Sequence, residues 1–132
     1  MDASAFYAML DRSERAHANC LSLLESHRGP IYMPILALAE VAHLVGSRLG
    51  LRAEGRLCAD LAAGKVILDS PPHSDWARIA ELVVRYLDLP LGMVDASIVA
   101  AAERLNVTTI ATLDHHFSVV QPAHTDRFTL LP

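Results

Sequence analysis

Gly92-Met93-Val94-Asp95-Ala96-Ser97-Ile98-Val99-Ala100-Ala101-Ala102-Glu103-Arg104-Leu105 is the stretch around which the rest of the chain is organised. It reads as an amphipathic helix with one acid, Asp95, at its start among apolar residues. Burying an isolated carboxylate is expensive, so it must be paired, protonated or bound to a cation. An N-cap is the plainer reading of the same residue. Asp2, Glu40 and Asp114 stand in similar settings. The expectation is that folding brings these four acids together to hold a divalent metal ion.

On the C-terminal side, Asn106 closes the helix. Val107-Thr108-Thr109-Ile110-Ala111-Thr112 is rich in β-branched residues and reads as a strand of a parallel sheet. Asp114 follows it, just past the carboxyl end of that strand, where open α/β sheets place ligands. A turn aspartate is the alternative. Residues 118–126 read as loop and Arg127-Phe128-Thr129-Leu130-Leu131 as a short strand at a sheet edge.

On the N-terminal side, Asp88 to Gly92 is a link. Ahead of it, Asp75 to about Leu87 reads as a helix capped by Ser74, with Trp76, Ile79, Ala80, Val83 and Val84 inward. Asp75 fits the helix dipole and needs no chemical role. Lys65 to Asp69 is a strand. Gly64 caps a helix over Leu51 to Ala63, and Gly50 breaks it from the preceding one. Arg48, Arg52 and Arg56 are spaced by four, which suits a solvated face or an RNA-facing ridge. The helix from Ile35 to about Ser47 places Glu40 beside Leu36, Ala37 and Leu44, on the apolar face. An ion pair at the edge of that stripe is the alternative. Ile31-Tyr32-Met33 is a buried strand. A helix over His17 to His27 turns Cys20, Leu23 and Leu24 inward. The chain opens on Asp2, an N-cap or a functional acid, before a short helix with Phe6, Met9 and Leu10 on one face. Helices and strands in this order imply an α/β sandwich with a mostly parallel sheet.

Composition bounds the function. The 132 residues are 52% hydrophobic and 20% charged, enough for one ordered domain spanning 1–132. No apolar run is long enough for a bilayer span and no secretory signal is visible, so no membrane role is expected. Two cysteines, Cys20 and Cys58, suggest no disulfide framework and a reducing, cytoplasmic setting. Net charge is −4, but setting the four acids aside leaves eleven against eleven bases, ten of them arginine. Arginine suits phosphate recognition; a GC-rich coding sequence produces the same bias.

The ordered set Asp2-Ala3-Ser4-Ala5, Leu38-Ala39-Glu40-Val41, Val94-Asp95-Ala96 and Thr112-Leu113-Asp114-His115-His116-Phe117 resembles the PIN domain, in particular the VapC-type toxins of toxin–antitoxin pairs. The resemblance covers essentially the whole chain. It implies a PIN-like α/β/α sandwich, a mostly parallel central sheet flanked by helices. It also implies a Mg²⁺- or Mn²⁺-dependent endoribonuclease acting on tRNA or rRNA, dimeric, and held inactive by a VapB-type antitoxin. Asp2, Glu40, Asp95 and Asp114 would then be the catalytic acids and metal ligands, with Ser4 and Thr112 as supporting hydroxyls. Two departures stand out. Only Met1 precedes Asp2, where the family carries a full strand, so a late start or a shortened first strand is expected. His116 stands where many relatives carry a further acid.

Carboxylate and water oxygens suit hard Mg²⁺ or Mn²⁺, whereas zinc favours histidine and cysteine. A receiver domain of a response regulator would need a lysine at a late strand end, but Lys65 opens a middle strand. A haloacid-dehalogenase-like phosphatase would want an acid where Ser4 stands. A catalytically silent PIN-like module, binding an antitoxin or RNA without cleaving it, is the rival of a different class.

Overall fold

The computed structural model describes residues 1–89 and 91–132. Pro90, in the expected link, lies outside the described residues. Helices and strands alternate as α1 (Ala3–Leu10), α2 (His17–Ser26), β1 (Tyr32–Pro34), α3 (Ile35–Leu44), α4 (Leu51–Ala62), β2 (Ile67–Asp69), α5 (Asp75–Arg85), α6 (Met93–Arg104), β3 (Thr109–Ala111) and β4 (Thr129–Leu131). A π turn, Val45–Leu49, follows α3, and a 3-10 turn, His115–Ser118, precedes β4.

Both strand pairs are parallel, β1 with β2 (Tyr32 opposite Ile67) and β3 with β4 (Thr109 opposite Thr129). The α/β reading therefore holds, with strands shorter than expected. The sheet comes in two halves rather than as one continuous ladder. Met1 and Asp2 stand between them. The Met1 amine donates to the Tyr32 carbonyl (2.7 Å), and the Asp2 N–H donates to the Ala111 carbonyl (2.9 Å).

Helix α6 lies against α5, α3 and β1. Every residue from Ala96 to Ala102 is buried, so this helix is more enclosed than a simple amphipathic pattern implies. Its small side chains allow neighbours to approach from several sides. The Ser97 hydroxyl satisfies itself on the Val94 carbonyl (2.6 Å). Phe117, Met33, Leu82 and Val41 complete the core around it. Asn106 has φ of 54°, the left-handed conformation by which asparagine ends helices.

Helix α5 differs from expectation. Its buried residues are Asp75, Ile79 and Leu82, while Trp76, Ala80 and Val84 face solvent. Ser74 makes no side-chain capping bond. The apolar pattern of α5 has two faces, and ion pairs chose between them. Arg104 reaches both Asp75 (2.8 Å) and Asp69 (2.7 Å), and Arg78 grips Glu103 through two nitrogens (2.9 and 2.8 Å). These bonds draw the Asp75 side of α5 onto α6. Gly50, at φ of +81°, separates the π turn from α4 as expected.

Candidate active site

Asp2 is the N-cap of α1, and it is also enclosed, only 5% exposed. Its Oδ1 accepts the Ala3 N–H (2.6 Å). Its Oδ2 accepts the Ser4 hydroxyl (2.5 Å) and the Thr112 hydroxyl (2.8 Å), with a longer approach from the Ser4 N–H (3.4 Å). The cap reading and the buried-acid reading are thus both true of the same carboxylate.

Ser4 and Thr112 do more than hold Asp2. Each hydroxyl also accepts a backbone N–H from the segment that carries Asp114. Leu113 donates to Ser4 Oγ (2.9 Å), and Asp114 donates to Thr112 Oγ1 (2.9 Å). A hydroxyl has one proton and two lone pairs, so it can donate and accept at once. The start of α1 and the end of β3 are therefore locked together through two side chains 108 positions apart. Asp114 in turn caps the 3-10 turn by accepting the His116 N–H (2.8 Å), with His116 Nδ1 at 3.2 Å.

Asp95 occupies the third position of α6, because Gly92 is the cap. Burial pushes its carboxyl up to about 6. The charges of Asp2, Asp114 and Glu40 push the same way, against a hydrogen bond from the Gly92 backbone. No basic side chain is among the groups that shift it. The fold thus brings Asp2 and Asp114 within electrostatic reach of Asp95, with Glu40 the weakest contributor. Glu40 is exposed, which corrects its expected place on the apolar face. The buried stripe of α3 runs through Ala37, Leu38 and Val41, and Glu40 stands to one side of it.

The donor set is one of carboxylates and hydroxyls, the chemistry a hard divalent cation prefers. Among the described residues, no three acidic, histidine or cysteine side chains close into a ready cation cage. The two histidines beside Asp114 are exposed, and His116 is tied to Asp114 itself.

Sequence reasoning missed a second cluster one turn along α1. Tyr7 is buried and donates its hydroxyl to Asp11 (2.8 Å), and the Arg48 guanidinium lies 5.6 Å over its ring. Tyr7 three residues after Ser4 was a usable signal; the approach of Arg48 was not.

Comparison with known proteins matches the PIN domain family to residues 1–121. Ribonuclease VapC26 of Mycobacterium tuberculosis is 33% identical over 133 aligned positions, covering 100% of this chain and 98% of that protein. The solved structure of Mycobacterium tuberculosis VapC20, described as a sarcin-ricin loop cleaving toxin, superposes with a TM-score of 0.84. It shares 20% identity, over 95% of this chain and 96% of that one, and so speaks to the fold.

Proposed function

The chain belongs to the PIN domain family, and from that premise we propose that it is an endoribonuclease, the toxin of a VapBC-type toxin–antitoxin pair. The observation that carries the reading is Asp95, a half-buried acid whose pKa is raised by acids from three other parts of the chain and offset by no base. Such a cluster is costly unless a cation or a reacting group uses it.

Asp2, Asp95 and Asp114 are the residues to hold Mg²⁺ or Mn²⁺, with Glu40 at the exposed edge as a ligand or a water-orienting group. When bound, a divalent ion supplies a more acidic water and neutralises charge on a phosphoryl oxygen. The chain's own part is positional. Ser4 and Thr112 fix the Asp2 carboxylate by donating to it. The same hydroxyls fix the peptide that leads into Asp114. Asp95 offers a carboxyl free of arginine, open to a proton or to a metal-bound water. Residues 1–132 are read as one PIN-like unit and the substrate as structured RNA, tRNA or rRNA.

Two surfaces support the expected partners. An open groove of about 720 Å³ runs between α1, α2 and α4, floored by Phe6, Leu24 and Leu61 and flanked by Arg12 and Arg56. That suits an amphipathic, partly acidic segment of a VapB-type antitoxin. The outward face of α5, with Trp76 and Val84 exposed, and Leu87 just past its end suit a second copy in a homodimer. Among the described residues no helix is long and apolar enough to cross a membrane.

The test is cleavage of total tRNA and rRNA by the purified, partner-free protein with Mg²⁺, Mn²⁺ or EDTA, beside Asp95→Asn. Discrete, EDTA-sensitive cuts absent from the variant are expected. A folded protein that cuts nothing under either metal is instead the silent module.

A further inference from the structure

Arg48 is separated from the two arginines with which its spacing grouped it. Gly50 ends the π turn, and Arg52 and Arg56 continue on α4. A π turn is wider than an α turn and so rotates less per residue. In a straight α-helix Arg48, eight positions after Glu40, would have turned about 80° past it. Arg48 sits on this turn at the end of α3, the helix on which α1 packs. There its guanidinium lies over the Tyr7 ring. The ring is itself immobilised by burial and by the bond from its hydroxyl to Asp11.

The rest of the guanidinium's surroundings is open. Arg48 is exposed. Asp11 is the nearby acid, but its Oδ2 takes the Tyr7 hydroxyl and its Oδ1 takes the N–H and hydroxyl of Ser13. Among the described residues the ion-paired arginines are Arg78 and Arg104, and Arg48 is in no carboxylate contact within 4 Å. An exposed guanidinium held over an aromatic ring, in reach of the Tyr7 hydroxyl and the Asp11 charge but in no carboxylate contact within 4 Å, keeps donors for a phosphate. Its platform, Tyr7, stands three residues after Ser4 on one face of α1, about one helical turn (~5 Å) from the hydroxyls that bind Asp2.

We propose that Arg48, stacked on Tyr7, is a substrate-binding residue that takes an RNA backbone phosphate next to the one being cut. This rests on the ribonuclease reading. Arg48 contributes binding and register and does not touch the reacting atoms, so its loss falls on KM. The measurement is steady-state cleavage of one RNA substrate by the wild-type chain, Arg48→Ala and Arg48→Lys, with exposed Arg28→Ala as control, and salt-dependent RNA binding of each in Ca²⁺ in place of Mg²⁺. Arg48→Ala should raise KM about 10-fold, leave kcat within about 3-fold, and reduce the salt slope by about one. Arg48→Lys keeps the charge but loses the planar stack, and should fall between. Arg28→Ala should match wild type. A KM for Arg48→Ala within about 2-fold of wild type, with an unchanged salt slope, overturns the proposal even if the melting temperature falls, since that is the signature of packing alone. If the wild-type chain neither cuts nor binds RNA, the ribonuclease reading fails and this inference fails with it.

Discussion

Two regions of this molecule collect enclosed carboxylates and treat them in opposite ways. At the α5–α6 contact, Asp69, Asp75 and Glu103 each meet an arginine. Burial alone would raise the Glu103 carboxyl, but the bonds from Arg78 and from the Ala123 N–H carry it below the usual range. At the working end, Asp2 and Asp114 take hydroxyl or backbone N–H bonds, and the charges of both reach Asp95. There Asp95 is pushed up to about 6. The first region stores its charge as structure. The second is left uncompensated, and that is the difference between an acid that holds a fold and one that is available for chemistry.

The contrast is breakable in four ways. Arg78→Ala should strike hardest at stability, because it strands a Glu103 that is only 12% exposed. The loss should be about 3 kcal/mol, read by denaturant melts, while cleavage of the folded fraction is retained. Thr112→Val should do the reverse. It removes a hydroxyl that binds Asp2 and the Asp114 N–H together, and the expected loss of cleavage is about 10- to 100-fold, by analogy with outer-shell groups of metal sites. A loss in stability without a loss in rate would assign Thr112 to structure alone.

The third test concerns sign. The Asp95 carboxyl is raised from an ordinary 3.8 to about 6, so the folded state holds the proton more tightly than the unfolded one. Its contribution to stability is full below about pH 4 and is lost as pH rises through about 6. Metal-free protein should therefore lose about 1–2 kcal/mol over that window, after allowing for solvent around a half-exposed group. Asp95→Asn should flatten the slope and be the more stable protein at pH 7 without metal, and millimolar Mg²⁺ should stabilise wild type more than the variant. Equal slopes in both proteins would show that the acids do not repel. Smallest of all, Lys65→Ala should cost under about 0.5 kcal/mol, since the Lys65–Asp60 pair is exposed on both sides. A larger effect in thermal melts would mean that surface pairs matter here as much as the buried ones.

How much was legible depends on whether a feature is local. The parallel pairing, the helix order, the Gly50 break and the left-handed Asn106 follow from short-range pattern, because propensity and turn chemistry act over a few residues. The inward face of α5 was read correctly at Ile79 and Val83, but Trp76, Ala80 and Val84 form a second stripe as convincing as the one it buries. Hydrophobic period cannot choose between two such stripes. Arg104 chose, by drawing Asp75 inward from 29 positions away. Glu40 was misplaced because the stripe α3 buries runs through Ala37, Leu38 and Val41, and Glu40 lies off it, exposed.

The sequence by itself determined the class of fold and the kinds of groups at its working end: acids, hydroxyls and a helix start, each visible at its own position. Only the tertiary structure decided which carboxylates meet an arginine and which act on Asp95 instead. It also decided that one pair of hydroxyls ties Asp2 to Asp114, and that Arg48, in a π turn, lies over Tyr7. The reason is physical. A residue's propensity is set by its nearest neighbours along the chain, whereas its charge state and hydrogen bonds are set by whatever packing brings within a few ångströms.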